Sequence, residues 1–565
     1  MGWENRPAYS ADFGRNSLTL FHRARLYWNT LRYLKASQIY GRVVFWLRSP
    51  KVDLRTAPKL NEHGAWVLPA SRRSSMLTPT KFSFLNQEGE LLSKEDWCSE
   101  SVPKLWLYNL HYFDDLNGEG FQSREAWHSP LIRRWIEENP PGHGVGWEPY
   151  PTSLRIVNWI KWVLRGNVMS QAALNSLASQ VRFLVNRLET HLLGNHLFVN
   201  AKALVFAGCF FQGDEADEWF KRGVSILTKE IPEQILADGG QFERSTMYHA
   251  LAYEDMLDIY NLLQAYPHRW GQWCMPISVM QDLLDRMGRW LLVMCHPDGE
   301  ISFFNDAAMG VAPKPQALFS YAARLGLNLP SIVETVTWLK DSGYIRVEYD
   351  EAVLLIDVAL LGPDYLPAHG HADTLSYELS VRGQRVIVNG GTSRYGVGDE
   401  REQERGTAAH STMELNGENS SEVWGGFRVA RRARPFDVSI EGVGENVVIC
   451  ASHDGYKRLP GQPIHKRQWL VGNGCVEITD WVEGVFISAT SRVQFHPDIK
   501  LELNGSSGYI LWSSDRAIFD VVGGIASVGK TQWHPGFGVA IDNCCLQMGL
   551  VANDGMSGLT LKVNW

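Results

Sequence analysis

The chain is 565 residues long, with a hydrophobic fraction of 45%, a charged fraction of 21% and a net charge of −8. That length is more than one ordinary core uses, so two or more domains are expected, and the composition is globular rather than disordered. The acidic balance argues against a nucleic-acid partner, which would favour a basic surface, but an acidic substrate can still sit in a locally basic cleft.

Residues 17–50 are basic and aromatic at helical spacing. They predict one or two helices packed on the main body, with attachment to an anionic membrane surface as the alternative. Residues 1–100 as a whole read as a helical and irregular extension, the second half a connector. From 101 to 342 apolar residues recur at three- and four-residue steps, as in SLRIVNWIKWVLR, ALNSLASQVRFLVNRLETHLL and YHALAYEDMLDIYNLLQAY. Gly, Pro and Asp punctuate these runs, and successive antiparallel helices of this length suggest an incomplete α/α toroid whose loops line a cleft. From 343 to 565 the period changes to two, as in YIRVEYDEAVLLIDVAL and QWLVGNGCVEITDWV. SYELSVRGQRVIVNGG reads as a hairpin turning near Gly383. The expected class is α+β, an N-terminal incomplete α/α toroid followed by a C-terminal antiparallel β-sandwich.

The 22 Trp residues invite a sugar-stacking reading, although a packed core also absorbs indoles. Eight scattered Cys without a CxxC read as buried free thiols rather than disulfides or thiolate zinc sites. No stretch approaches the roughly 20 apolar residues of a membrane span. The N-terminus shows no leader pattern, so a cytoplasmic location is expected, or a periplasmic one if a leader has been removed.

The pair His369-Gly370-His371 places two imidazoles on one face of an extended segment, where helices give way to strands. Upstream lie Asn195 and His196 in GNHLFVNAKAL, and Tyr248 and His249 in FERSTMYHALAYED. Amides, imidazoles and a phenol are the groups needed to take a proton beside a carboxylate and to protonate a leaving oxygen, which is polysaccharide β-elimination.

Seven runs, in order, carry a resemblance: LRYLKASQIYGR, WEPYPTSLRIVNW, GNHLFVNAKALVFAG, DGGQFERSTMYHALAYED, HGHADTLSYEL, NGGTSRYG and RGTAAHSTMELNGENSSEVWGGFRVARRARP. Together they resemble the bacterial heparinase II/III-type polysaccharide lyases. The resemblance implies a toroid followed by antiparallel sheets and an acidic polysaccharide or oligosaccharide as substrate. It places a carboxylate-neutralising amide on Asn195, a phenolic acid (which could also serve as base) on Tyr248, and a base or carboxylate clamp on His369. Substrate contacts are expected from His196, His249, Trp147, Tyr150, Arg155 and Glu243, with packing as the alternative for several of them. The basic run Arg428, Arg431, Arg432 and Arg434 offers an anion-binding patch or a solvated strand.

No cofactor is required by this chemistry. Some relatives hold a structural zinc, and His371, His410 and Asp373 are the candidates here for zinc or another divalent metal. The Asp position of those relatives is occupied by Asn389, a poor zinc ligand. A hydrogen bond between the two imidazoles is the alternative. Two other functions stay open: a glycoside hydrolase using carboxylates among Glu148, Asp238, Glu243, Glu254 and Asp255, and a non-catalytic polysaccharide-assembly protein.

Overall fold

The computed structural model describes residues 16–48, 50–442, 446–513, 515–550 and 557–565. The first fifteen residues of the stretch read as lacking a leader lie outside these. Among the described residues eleven α-helices precede the sheets: α1 (Asn16–Leu31), α2 (Ala36–Leu47), α3 (Lys104–Tyr112), α4 (Glu125–Glu138), α5 (Pro149–Leu164), α6 (Gln171–Val185), α7 (Gly194–Phe210), α8 (Asp214–Gln234), α9 (Thr246–Ala265), α10 (Ile277–Val293) and α11 (Pro315–Arg324). A hairpin of β1 (Lys81–Phe84) and β2 (Gln87–Glu90) interrupts the otherwise irregular connector.

The central helix is α7. Its sequence is apolar on nearly every side and it is buried almost throughout, because α5, α8 and α9 all pack on it. The run ALNSLASQVRFLVNRLETHLL is helical only to Val185, and its remainder turns back to bring Glu189 and His191 to the mouth of the toroid.

The sheets are built from β3 (Val336–Leu339), β4 (Tyr344–Tyr349), β5 (Ala352–Asp357), β6 (Tyr377–Val381), β7 (Gln384–Val388), β8 (Met413–Leu415) and the later strands. Strands β3 to β7, joined by the strands Ala489–Phe495, Ile541–Leu550 and Gly524–Trp533, form one antiparallel sheet, with β8 pairing Ala489–Phe495. A second antiparallel sheet of eight strands runs from Pro435–Glu441 to Lys500–Asn504. Their facing residues, among them Leu354, Leu379, Ile449, Trp469 and Phe519, make a single apolar core, so the two sheets form a sandwich. The turn between β6 and β7 falls at Arg382–Gly383, with Val381 opposite Gln384, as the hairpin pattern predicts.

The tryptophans are mostly structural. Trp97, Trp135, Trp159, Trp290 and Trp469 are fully buried. Trp290 welds toroid to sheet: its ring lies 4.1 Å from that of His249, it packs against Tyr344 at the start of β4, and its Nε1 donates to Ser342 Oγ at 2.8 Å. Trp290→Ala is therefore expected to cost about 3–5 kcal/mol, seen as a lower thermal unfolding midpoint. An unchanged midpoint would show that the toroid and sheet do not depend on this junction.

Candidate active site

A cavity of about 690 Å³ opens where the toroid loops meet the sheet domain. Asn195, His196, Tyr150, Glu243 and Tyr248 reach it from the helical side, and His369, Tyr395 and Phe427 from the other. Asn195 is presented by a sharp entry into α7, where the backbone is left-handed at Leu193 (φ 63°) and Gly194 (φ 55°). A side chain at Gly194 would also strike Leu366 and Glu243, so glycine is required there. Ser245 caps α9, accepting from Tyr248 N at 3.2 Å, and this sets Tyr248 in the first turn facing the cavity.

His369, Gly370 and His371 lie in an irregular loop before β6 rather than in a strand. Their imidazoles still share one partner. His369 Nδ1 is 2.8 Å from Asp306 Oδ2 and His371 Nε2 is 2.8 Å from Asp306 Oδ1. Arg401 donates to both oxygens of the same carboxylate, at 2.5 and 2.7 Å. Gly370 packs so closely on Leu361 that a Cβ there would collide with it, and Arg405 donates to the Gly370 carbonyl at 2.8 Å.

The His369 and Tyr248 rings lie 4.0 Å apart, and the Tyr248 hydroxyl is 2.9 Å from that of Tyr395. Glu243 Oε2 is 3.5 Å from His369 Nε2. Burial, reinforced by Tyr395 and Asp306, pushes the Tyr248 phenol well above its ordinary value, so it keeps its proton at neutral pH. Burial opposes charge on His196, yet Glu189, 3.0 Å from its Nδ1, raises its pKa. For Asp306 burial works against ionisation, but Arg401 and the two histidines hold the carboxyl well below the usual range.

Residues 125–323 match the family model described as Heparinase II/III N-terminus, and residues 332–548 match that described as Heparinase II/III-like, C-terminal. The chain belongs to the heparinase II/III family. It is 28% identical over 250 residues to a heparin-sulfate lyase of Bacteroides stercoris, covering 40% of this chain and 36% of that one. It is 25% identical over 325 residues to a heparin-sulfate lyase of Pedobacter heparinus, covering 50% of this chain and 47% of that one. The chain thus spans less than half the length of either relative. A solved heparinase III structure superposes with a TM-score of 0.66 at 17% identity, covering 83% of this chain and 79% of that one, a likeness of fold.

In this heparinase II/III chain, three of the expected substrate contacts are core residues instead. His249 is fully buried, with Nδ1 accepting from Gln241 N at 3.2 Å and Nε2 facing the Met287 carbonyl at 2.9 Å; burial lowers its pKa to about 3. Arg155 is also fully buried, stacked 3.9 Å from the Trp135 ring and donating to Gln180 Oε1 at 2.9 Å. Trp147 packs between Trp135 and Phe183, away from the cleft. His196, Tyr150 and Glu243 do line it, and no tryptophan does among the described residues. Of the basic run only Arg428 lines the cavity; Arg431 pairs with Glu422, and Arg432 and Arg434 with Asp364. Three site residues escaped the sequence reading: Asp306, Arg401 and Tyr395. Only Tyr395 falls close to a quoted signal, inside NGGTSRYG.

The metal trio does not converge. His371 Nδ1 and His410 Nε2 face each other at 3.2 Å, while His371 Nε2 is committed to Asp306. Asp373 Oδ2 accepts from Asn305 N at 3.1 Å, and the Asn389 amide bonds Ser411 N and Ser376 Oγ. Among the described residues no three His, Cys, Asp or Glu side chains come together to hold a metal ion. The facing nitrogens of His371 and His410 fit a hydrogen bond between the two imidazoles.

Asp306→Asn tests the anchor. Removing one partner of a buried ion pair typically costs about 3–5 kcal/mol, and the variant is expected to lose that much at pH 7. The carboxyl is depressed in the folded state, so its stabilisation is full above the unfolded value of about 3.9 and is lost as pH falls through the folded-state pKa. From about pH 5 to pH 3 the thermal midpoint of the parent protein should therefore drop more than that of the variant. Parallel curves would count against Asp306 as the anchor.

Proposed function

We propose that this chain is a polysaccharide lyase that cleaves a uronic-acid-containing glycan by β-elimination. The observation that supports it most is that Asn195, Tyr248 and His369 face one cavity, with a protonated phenol beside an imidazole backed by a buried carboxylate. With its Nδ1–H donated to Asp306, the neutral His369 imidazole keeps its lone pair on Nε2, where it can take the C5 proton. The Asn195 amide, with His196 and its Glu189 partner beside it, hydrogen-bonds the adjacent carboxylate and stabilises the enolate charge that develops. As the C4–O bond breaks, the leaving oxygen takes the Tyr248 proton, and a C4–C5 double bond remains. Glu243 then faces the imidazolium.

Arg42, Arg73 and Arg428 in the cavity wall offer positive charge to an acidic polymer, while Arg72 there is paired with Glu254. Heparin sulfate is the first substrate to try, given the names of the two relatives. Hydrolysis fits less well, because four of its five candidate carboxylates are engaged, Glu254 with Arg72, Asp255 with Lys202, Asp238 with Ser342, and Glu148 with Tyr108 and Lys104, which leaves Glu243 alone where a pair is needed.

Elimination gives an unsaturated sugar that absorbs in the near ultraviolet. Uronate polysaccharides incubated with the protein are expected to show rising absorbance, and Tyr248→Phe should abolish the rise while retaining binding. Asn195→Ala is expected to lower the rate about 10²–10³-fold. Full activity in Tyr248→Phe would remove the acid assignment, and new reducing ends without absorbance would identify a hydrolase.

A further inference from the structure

The two N-terminal helices are inside out. α1 exposes Phe21 (74%) and Trp28 (69%) together with Leu20, and α2 exposes Tyr40 (72%) and Trp46 (63%) together with Ile39, Val43 and Leu47. These positions recur at three- and four-residue steps, so each helix carries an apolar stripe facing solvent. The residues these helices bury are polar or small instead: Asn29 in α1, Gln38 and Gly41 in α2. Their inner side is held by specific contacts, including Gln38 Nε2 to the Tyr365 carbonyl at 3.2 Å and Lys35 to Glu233 at 2.8 Å. A folded protein does not leave so many large apolar side chains in water without an occupant for them.

The charge of this segment is one-sided. Between Asn16 and Lys51 there are five Arg and two Lys and no Asp or Glu, in a chain whose net charge is −8. At helical spacing Arg23 and Arg32 border the α1 stripe on its two sides. A band of Trp, Tyr and Leu with a cationic border is the pattern of a helix lying in the headgroup region of an anionic bilayer. No described helix is long and apolar enough to cross a membrane, so the geometry is that of lying on one.

We propose that α1 and α2 dock the protein on a bilayer surface rich in anionic phospholipid. The same hairpin contributes Leu31, Leu34, Gln38 and Arg42 to the wall of the catalytic cavity. Docking therefore sets the cavity beside the membrane, in reach of polymer attached to it.

The test is co-sedimentation of the full chain with phosphatidylcholine vesicles, with and without about one-third phosphatidylglycerol. Binding is expected only to the anionic vesicles and should weaken in about 0.5 M salt. The double variant Trp28→Ser, Trp46→Ser should bind about tenfold more weakly or worse, with the same thermal midpoint because both side chains are exposed in the free protein. Equal binding by variant and parent would overturn the proposal, as would failure of the parent to sediment with anionic vesicles. A concentration-dependent dimer of the parent, lost in the variant, would then identify a second copy as the occupant.

Discussion

The carboxylate of Asp306 is the interaction on which the site depends. A buried charge costs several kcal/mol unless it is paired and fully hydrogen-bonded, and here two oxygens take Arg401 twice, His369, His371 and the Thr392 hydroxyl at 3.3 Å. Its backbone is tied as well: Asp306 N donates to the His369 carbonyl at 2.9 Å, and its carbonyl accepts from the hydroxyl of Ser245, the cap of α9. One residue thus sets both the imidazole of the sheet-side loop and, through the cap, the helix turn that carries Tyr248. The two domains are registered at the cleft by electrostatics, and apolar packing around Trp290 supports this from behind.

The fold brings to one cavity the three residues, Asn195, Tyr248 and His369, that were put forward on the family resemblance. Asp306 was not among them. It sits in the aperiodic stretch SFFNDAAMG, and its principal partner Arg401 lies 95 residues downstream in a short acidic helix, so neither residue carries a local signal. His249 and Arg155 failed for a related reason. Helices such as α5 and α9 are buried on most faces, so a polar residue satisfied inside the barrel follows the same period as one aimed into the cleft. The change of period from 3.6 to 2 near residue 340, by contrast, survives any choice of face, which is why the two-part architecture could be read from it.

The tryptophan excess and the acidic net charge both mislead when taken as properties of the surface. Most of the buried indoles pack in the toroid wall or the sandwich core, and the cleft is lined by Tyr108, Tyr112, Tyr150 and Tyr395, whose hydroxyls can bond a hydrated polymer. Arg431, Arg432 and Arg434, the basic run most visible in the sequence, are neutralised by Glu422 and Asp364. The cavity draws its cations from three separated segments, at Arg42, at Arg72 and Arg73, and at Arg428, and only the fold brings them together.

The proposed division of labour follows from environment rather than residue type. A tyrosine can act as a base only if a cation lowers its pKa, yet burial, Tyr395, Asp306 and Glu243 all push the Tyr248 phenol the other way. Its proton is available for donation and costly to remove. His369 has the complementary setting: one nitrogen held by a carboxylate that stays ionised, the other facing the cavity with Glu243 close enough to stabilise the cation formed on proton capture. Under the elimination reading, acid and base are therefore separate groups whose rings touch. The 4.0 Å between those rings puts the two groups within reach of neighbouring atoms of one sugar.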